Sequence, residues 1–249
     1  MTESIFGFWN PTENTLKRFQ VFSRFPFFFK KRKPRNDALA KENARLELGI
    51  CTLQNASIQY RRSFNVRTLL SGWQPGVLGI AFFRPSPLFL PQYDVMPLYS
   101  SGQIAVVCLG VIDNLPEIRE KLASYGYQFY SKENAVETLS LLLHNYLEYH
   151  HLPFVKAIQV MMTKLKGRFA IMALVANGKW FMVGCRDYPL AVGKNRCHPT
   201  VYFGTEPDTL AKFTPSMTSI GGDKKPEIFY GTSLQFEIDS PDSARWLTS

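Results

Sequence analysis

A mixed α+β domain with substantial antiparallel sheet is what this sequence predicts, and three observations carry the prediction. Apolar strand-like runs, Val77 to Phe83 and Ile104 to Leu109 among them, precede a block of helical periodicity. Further short strands follow that block, beginning around the tight-turn dipeptide Asn177-Gly178. The composition agrees: 249 residues, 45% hydrophobic and 14% aromatic, are enough for a sizeable core and exclude general disorder.

The elements follow in order. Ser4 to Asn10 is aromatic-rich, and Pro11 to Asn14 reads as a turn or helix start. Leu16, Phe19, Val21 and Phe22 give a short apolar pattern. Phe25-Pro26-Phe27-Phe28-Phe29 then runs directly into Lys30-Lys31-Arg32-Lys33-Pro34-Arg35. Asn36 to Glu47 reads as a helical connector, and Leu48 to Leu53 as the first strand of the folded domain. Leu115 to Tyr125 reads as a helix: Pro116 suits its first turn, Leu115, Ile118 and Leu122 share a face, and Gly126 stops it. Ala135 to His150 and Pro153 to Lys166 are two more helices, the second closed by Gly167. Strands are expected at Arg168 to Val175, Lys179 to Cys185, Ala191 to Gly193, Val201 to Gly204 and Leu234 to Ile238. This divides the chain into an arm and connector (1–47), a domain (48–240) and a tail (241–249). No internal repeat is present.

The formal net charge is +9, from 29 Lys+Arg against 20 Asp+Glu, and it is unevenly placed. Residues 1–47 hold 10 basic and 5 acidic side chains, so over half of the excess lies in under a fifth of the chain. No run of about 18 apolar residues exists to span a membrane, and acidic Glu3 sits where a secretion signal needs basic residues. A cytoplasmic location is expected, with peripheral membrane contact open to the basic arm. The four cysteines, Cys51, Cys108, Cys185 and Cys197, have no metal-ligand spacing and suit a reduced compartment. His144, His150 and His151 read as a solvated helix end. Neither a metal nor a cofactor is expected.

Several fragments in sequence carry a resemblance. They are Gly79-Ile80-Ala81-Phe82-Phe83-Arg84, Gly110-Val111-Ile112-Asp113-Asn114, Gly126-Tyr127-Gln128-Phe129, the helix containing Glu137, Leu165-Lys166-Gly167-Arg168-Phe169-Ala170, Cys185-Arg186-Asp187-Tyr188-Pro189-Leu190 and Phe203-Gly204-Thr205-Glu206. Together they resemble the class II glutamine amidotransferases, most closely the glutaminase half of the glucosamine-fructose-6-phosphate aminotransferase type, over about 48–240. The resemblance implies an N-terminal-nucleophile fold, a four-layer αββα sandwich of two sheets between helical layers.

It also implies a chemistry. In the family an N-terminal cysteine attacks the glutamine amide with its own α-amine as base. Leu48-Gly49-Ile50 falls where the family begins Cys-Gly-Ile, so Leu48 takes the nucleophile's position and has none. An Asn-Gly pair supplies the oxyanion donors in the family; here the pair is Leu109-Gly110, which leaves only backbone. Arg84 aligns with the arginine that holds the substrate α-carboxylate. The aspartate that holds the α-amine falls on Asn134 or Ala135, neither of them charged.

The expected function is therefore a catalytically inactive amidotransferase-like domain, not an enzyme, serving as a protein-binding, scaffolding or regulatory module. Its contact element would be Phe25, Phe27, Phe28, Phe29, Lys30, Lys31, Arg32, Lys33 and Arg35, docking on a protein partner or an anionic membrane. Nucleic acid is the weakest partner class, for want of a recognised motif or a broad basic face. Two alternatives are a glutaminase or amidohydrolase activated by N-terminal processing at Cys51 and a ligand sensor using Arg84; Arg84 and Gly110 are the expected relict ligand- or anion-binding positions.

Overall fold

The computed structural model describes residues 4–9, 45–54, 56–64, 68–69, 78–86, 98–100, 102–131, 134–194, 200–211, 214, 216–221, 225–232 and 236–238. The expected arm contact residues 25–35, Cys197 and the tail 241–249 lie outside them.

Two antiparallel sheets are stacked face to face. The first has seven strands: β1 (Ser4–Trp9), β2 (Arg45–Gln54), β3 (Ser57–Ser63), β4 (Leu78–Ser86), β9 (Leu190–Lys194), β10 (Val201–Gly204) and β11 (Ser216–Ile220). They lie in the order β11-β9-β10-β1-β4-β2-β3. The second has six: β5 (Leu98–Ser100), β6 (Ile104–Ile112), β7 (Gly167–Val175), β8 (Trp180–Arg186), β12 (Glu227–Thr232) and β13 (Phe236–Ile238), in the order β13-β12-β8-β7-β6-β5. Helices α1 (Leu115–Ser124), α2 (Ala135–His144) and α3 (Phe154–Lys164) cover the second sheet; a single turn, α4 (Pro207–Leu210), packs on the first. The fold class is α+β, as expected.

Three apolar layers follow from the strand pleat. Between the sheets lie Ile5, Cys51, Phe82, Leu109, Met172, Phe181, Cys185 and Phe203. Beneath the helices, Leu122, Leu139, Leu143, Ile158 and Met162 pack on Val106, Ile171 and Ala173. Outside the first sheet, Phe6, Phe8, Leu48, Ile50 and Phe83 meet Leu69 and Leu210. Each fully buried side chain of this kind contributes about 1.5–3 kcal/mol relative to exposure. β7 is buried on both faces, which is why Phe169 to Val175 reads as an unbroken apolar run.

Three expectations need correcting. The domain does not begin at Leu48. β1 sits in the middle of the first sheet, paired with β4 on one side and β10 on the other. It lies directly over the second sheet: a Cβ on Gly7 would come within 2.8 Å of Met172 Sδ and 3.2 Å of the Phe181 ring. Next, Arg45 to Glu47 are not the end of a helical connector but the first residues of β2, laddered with Ser86, Pro85 and Arg84. Lastly, the helix expected to His150 changes character at Asn145. A five-residue π-helical turn, Asn145–Tyr149, follows α2 and carries the chain to His150. The Asn177-Gly178 hairpin forms as expected, with Gly178 at φ 75°.

Candidate functional site

One end of the sandwich gathers the strand ends that the resemblance singles out. β1 enters the first sheet at Ser4, whose backbone partner on β4 is Phe83, next to Arg84. On the other flank, Thr205 just beyond β10 is tied to β1 by two hydrogen bonds. The Thr205 amide donates to the Ile5 carbonyl, and the Ile5 amide donates to Thr205 Oγ1, both at 3.2 Å. β6 of the second sheet lies against both β1 and β4 and brings Leu109 into the layer between the sheets. Gly110 follows at φ +98°, and a Cβ there would collide with the Arg168 carbonyl and stand 2.8 Å from Phe169 Cα. Only glycine fits so close to β7 with that backbone conformation.

Leu48 does not stand at a strand start. It is the fourth residue of β2, paired with Phe83 on one side and Ser63 on the other, and is 1% exposed. Cys51 is three residues further along, facing the inter-sheet core between Ile80 and Tyr60. Cleavage before it would remove β1 from the centre of the sheet and cut β2 in two. The processing alternative therefore fails on architecture.

Arg84 is not open to solvent. Its side chain is 4% exposed, and Nε and one terminal nitrogen lie 2.7 and 2.6 Å from Glu47 Oε2. Glu47 is wholly buried, and its other oxygen meets the Arg62 guanidinium, whose side chain is 25% exposed. Pairing is what makes such burial tolerable, since an isolated charge there is too costly to desolvate. Glu47 is the site residue that sequence reasoning missed; its signal was a lone carboxylate directly ahead of an apolar strand.

Most of the remaining motif residues serve the architecture. Asn134 caps α2: its Oδ1 accepts from the amides of Val136 and Glu137 at 3.0 and 3.3 Å. Glu137 is buried and accepts from Tyr130 N (2.7 Å), Ser131 N (3.2 Å) and Ser131 Oγ (3.0 Å), fixing the turn before the helix. Arg119 stacks 3.9 Å from the Phe129 ring centroid and donates to Thr138 Oγ1 and the Ser131 carbonyl. Asn114 bridges the β6–α1 turn to the α3–β7 connection, donating to Lys164 O and accepting from Lys166 N, both at 2.9 Å. Arg186 donates to the Met162 and Leu165 carbonyls at the end of α3. His144 shares a 3.1 Å contact with the Tyr127 hydroxyl, and His150 packs edge-on against Tyr125 and Tyr149. No helix among the described residues is long and apolar enough to cross a membrane.

Comparison with known proteins agrees with this geometry. Residues 88–212 match the family described as glutamine amidotransferase domain. Over 201 residues, 78% of this chain and 32% of the relative, the sequence is 31% identical to glutamine–fructose-6-phosphate aminotransferase (isomerizing) of Brucella abortus. The chain thus spans about a third of the length of that curated relative. Among solved structures, glutamine phosphoribosylpyrophosphate amidotransferase from B. subtilis superposes with a TM-score of 0.65 at 14% identity, over 95% of this chain and 48% of that one. A glutamine aminotransferase class-II domain protein from Silicibacter pomeroyi gives 0.51 at 8% identity, over 80% and 96%. At those identities the two structures speak for the fold.

These findings overturn the expectation that the chain is not an enzyme. The sequence relative is named an aminotransferase and the structural neighbour an amidotransferase, both of them enzymes. Part of the physical ground for the expectation also falls away. It rested on a lost nucleophile at Leu48, behind 47 residues placed ahead of the domain, together with a lost oxyanion donor at Leu109 and a lost aspartate at Asn134 or Ala135. Leu48 is mid-strand, and β1 belongs to the sheet.

Proposed function

This chain belongs to the class II glutamine amidotransferases, and from that premise we propose that it releases ammonia from a carboxamide at the head of β1, for transfer to an acceptor. One observation carries the reading: β1 brings Ser4 beside the Arg84 end of β4, with the Thr205 end of β10 tied to its other flank and β6 of the second sheet packed against β1 and β4. Ser4, a buried residue, carries one hydroxyl; the sequence ahead of it adds a second at Thr2 and no thiol.

The chemistry is an acyl transfer in two halves. A hydroxyl oxygen attacks the carboxamide carbon, and its proton passes through a base to the departing nitrogen. The C–N bond breaks, ammonia leaves and an ester remains. Water then cleaves the ester to the free acid and restores the hydroxyl. Leu109 gives no side-chain donor to the tetrahedral oxyanion, which lowers the rate by about a hundredfold to a thousandfold relative to a site that has one.

The test is ammonia release by the full chain, measured with Thr2→Val, Ser4→Ala and Cys51→Ala variants. One of the first two loses activity by about a hundredfold or more, while Cys51→Ala retains it. No release from any carboxamide, or release that survives both hydroxyl substitutions, overturns the reading.

A second reading concerns partners and rests on the adjacency of the phenylalanine run 25–29 and the cationic run 30–35 in the sequence. That pairing supports docking on an anionic surface, of a protein partner or a membrane. Sedimentation with phosphatidylserine vesicles tests the membrane case: binding is lost when Lys30, Lys31, Arg32 and Lys33 become Ser. Equal recovery on phosphatidylcholine vesicles counts against it.

A further inference from the structure

The end of the sandwich remote from Ser4 and Arg84 holds an open cleft of about 880 Å³. It lies where β6 begins and β7 ends: Ile104 and Val175 pair with each other there, and both line it. Leu109 is five residues further along β6, so about 17 Å of strand separates the cleft from the stretch that carries Gly110.

Two departures from regular backbone shape its walls. On one side α2 gives way at Asn145 to the five-residue π-helical turn, closed by the His150 amide donating to the Asn145 carbonyl at 3.0 Å. That turn carries Leu147 and Glu148 to the cleft beside His144. Such turns are rare and recur at functional sites. On the other side the β7–β8 turn holds both Gly178 and Lys179 at positive φ, 75° and 54°. Glycine or asparagine adopts that conformation at lower cost than lysine, so what lysine contributes there is its charged side chain.

Charges of both signs meet an apolar wall. Lys179 and Glu148 are exposed and line the same cleft, yet they form no ion pair with each other. Nδ1 of His144 is engaged with the Tyr127 hydroxyl at 3.1 Å, so a ligand meets Nε2. Ile104, Leu147 and Val175 supply the wall. The volume is that of a site for a small organic molecule, not for a single ion.

We propose that this cleft binds a zwitterion of the amino-acid type with an apolar body. Its carboxylate lies on Lys179, assisted by His144 Nε2; its ammonium group lies on Glu148, and its apolar part on Ile104, Leu147 and Val175. A free apolar amino acid and a short apolar peptide share this chemistry. The site is separate from the one assigned to hydrolysis and stands whether or not ammonia is released. Each ionic contact is open to solvent, so each contributes about fivefold in affinity.

Calorimetric titration of the full chain with L-leucine and with L-leucyl-L-leucine tests the site. At least one of them binds with a Kd of about 1 mM or below, and the tighter one identifies the source, amino acid or peptide. Acetylating its amine or amidating its carboxylate weakens binding by about fivefold or more. Lys179→Met abolishes the difference between the ligand and its amide, and Glu148→Gln abolishes the difference between the ligand and its acetyl derivative, as each residue meets one end. Both side chains are exposed, so the two variants keep the parent Tm. Absence of binding up to about 10 mM of either compound, equal affinity for the blocked forms, or affinities unmoved by both substitutions overturns the proposal.

Discussion

Replacing Glu47 by Ala tests the buried ion pair most directly. Glu47 is fully enclosed, the Arg84 side chain is 4% exposed, and the contacts on Oε2 are 2.6 and 2.7 Å. Removing the carboxylate leaves the Arg84 guanidinium buried without its partner, a change that costs about 3–5 kcal/mol. For a chain of this size each kcal/mol lowers Tm by about 2–4 °C, so a fall of roughly 6–20 °C is expected. The pair is not symmetric. Arg84→Met leaves Glu47 still facing the Arg62 guanidinium, a quarter exposed and on its other oxygen, and costs about 1–3 kcal/mol. Glu47→Leu/Arg84→Met removes both charges and stays within about 1–2 kcal/mol of the parent, because well-packed apolar replacements of buried pairs are close to neutral. Urea unfolding of Glu47→Leu, Arg84→Met and the double variant closes a cycle with a coupling energy of at least about 2 kcal/mol. If Glu47→Ala lies within 1 kcal/mol of the parent, or the double variant costs the sum of the singles, the pair does not hold this corner together.

Three further outcomes follow from the same geometry. Phe6→Ala opens a cavity beside Phe83, whose ring meets it edge-on at 5.4 Å, and lowers unfolding stability by about 3–5 kcal/mol; a cost below 1 kcal/mol removes β1 from the core. Asn134→Ala strips two amides of their cap and costs about 0.5–2 kcal/mol in urea unfolding, with Asn134→Asp restoring most of it. Burial pushes the Cys108 thiol from its ordinary 9.0 up to about 12, and burial, then the Glu227 carboxylate, raises Cys185 in the same sense. Above about pH 9 the unfolded chain gives up thiol protons that the folded chain keeps. Stability therefore falls as pH rises from 9 towards 12, by up to about 1.4 kcal/mol per pH unit for each thiol. Cys108→Ala makes that decline shallower, and an unchanged slope between pH 8 and 10.5 refutes the assignment.

The helices were legible because each announces itself locally. Pro116 and Gly126 bracket α1, and Gly167 closes the segment after α3. The β6, β7 and β8 strands were legible as apolar runs around a tight turn. β1 was not, because Ser4 to Trp9 shows no alternation. Phe6 and Phe8 bury outward, Ile5 buries inward, and Gly7 is small where the second sheet presses on it. Its only local mark was the turn signal Asn10-Pro11. That omission put the start of the domain at Leu48, which also pairs with Phe83 and is followed by Gly49-Ile50. Glu47 was hidden for another reason: a carboxylate ahead of an apolar strand reads as solvent-facing until its partners, 15 and 37 residues away, are folded against it.

The position of β1 also governs how the molecule can be made. β6, α1 to α3, β7 and β8 are joined by short connections and can assemble from neighbouring sequence. The first sheet cannot, because Ile5 bonds to Thr205 across 200 residues. At ribosomal speeds of about 5–20 residues per second, the opening strand waits on the order of ten seconds or more for its partner on β10. In that interval Ile5, Phe6 and Phe8 are apolar surface without a place to go. The slow step in folding is thus closure of the sheet on its earliest strand, in keeping with the low rates that long-range strand pairing imposes. The Ser4 end of β1 takes shape only when the rest of the sandwich is already built.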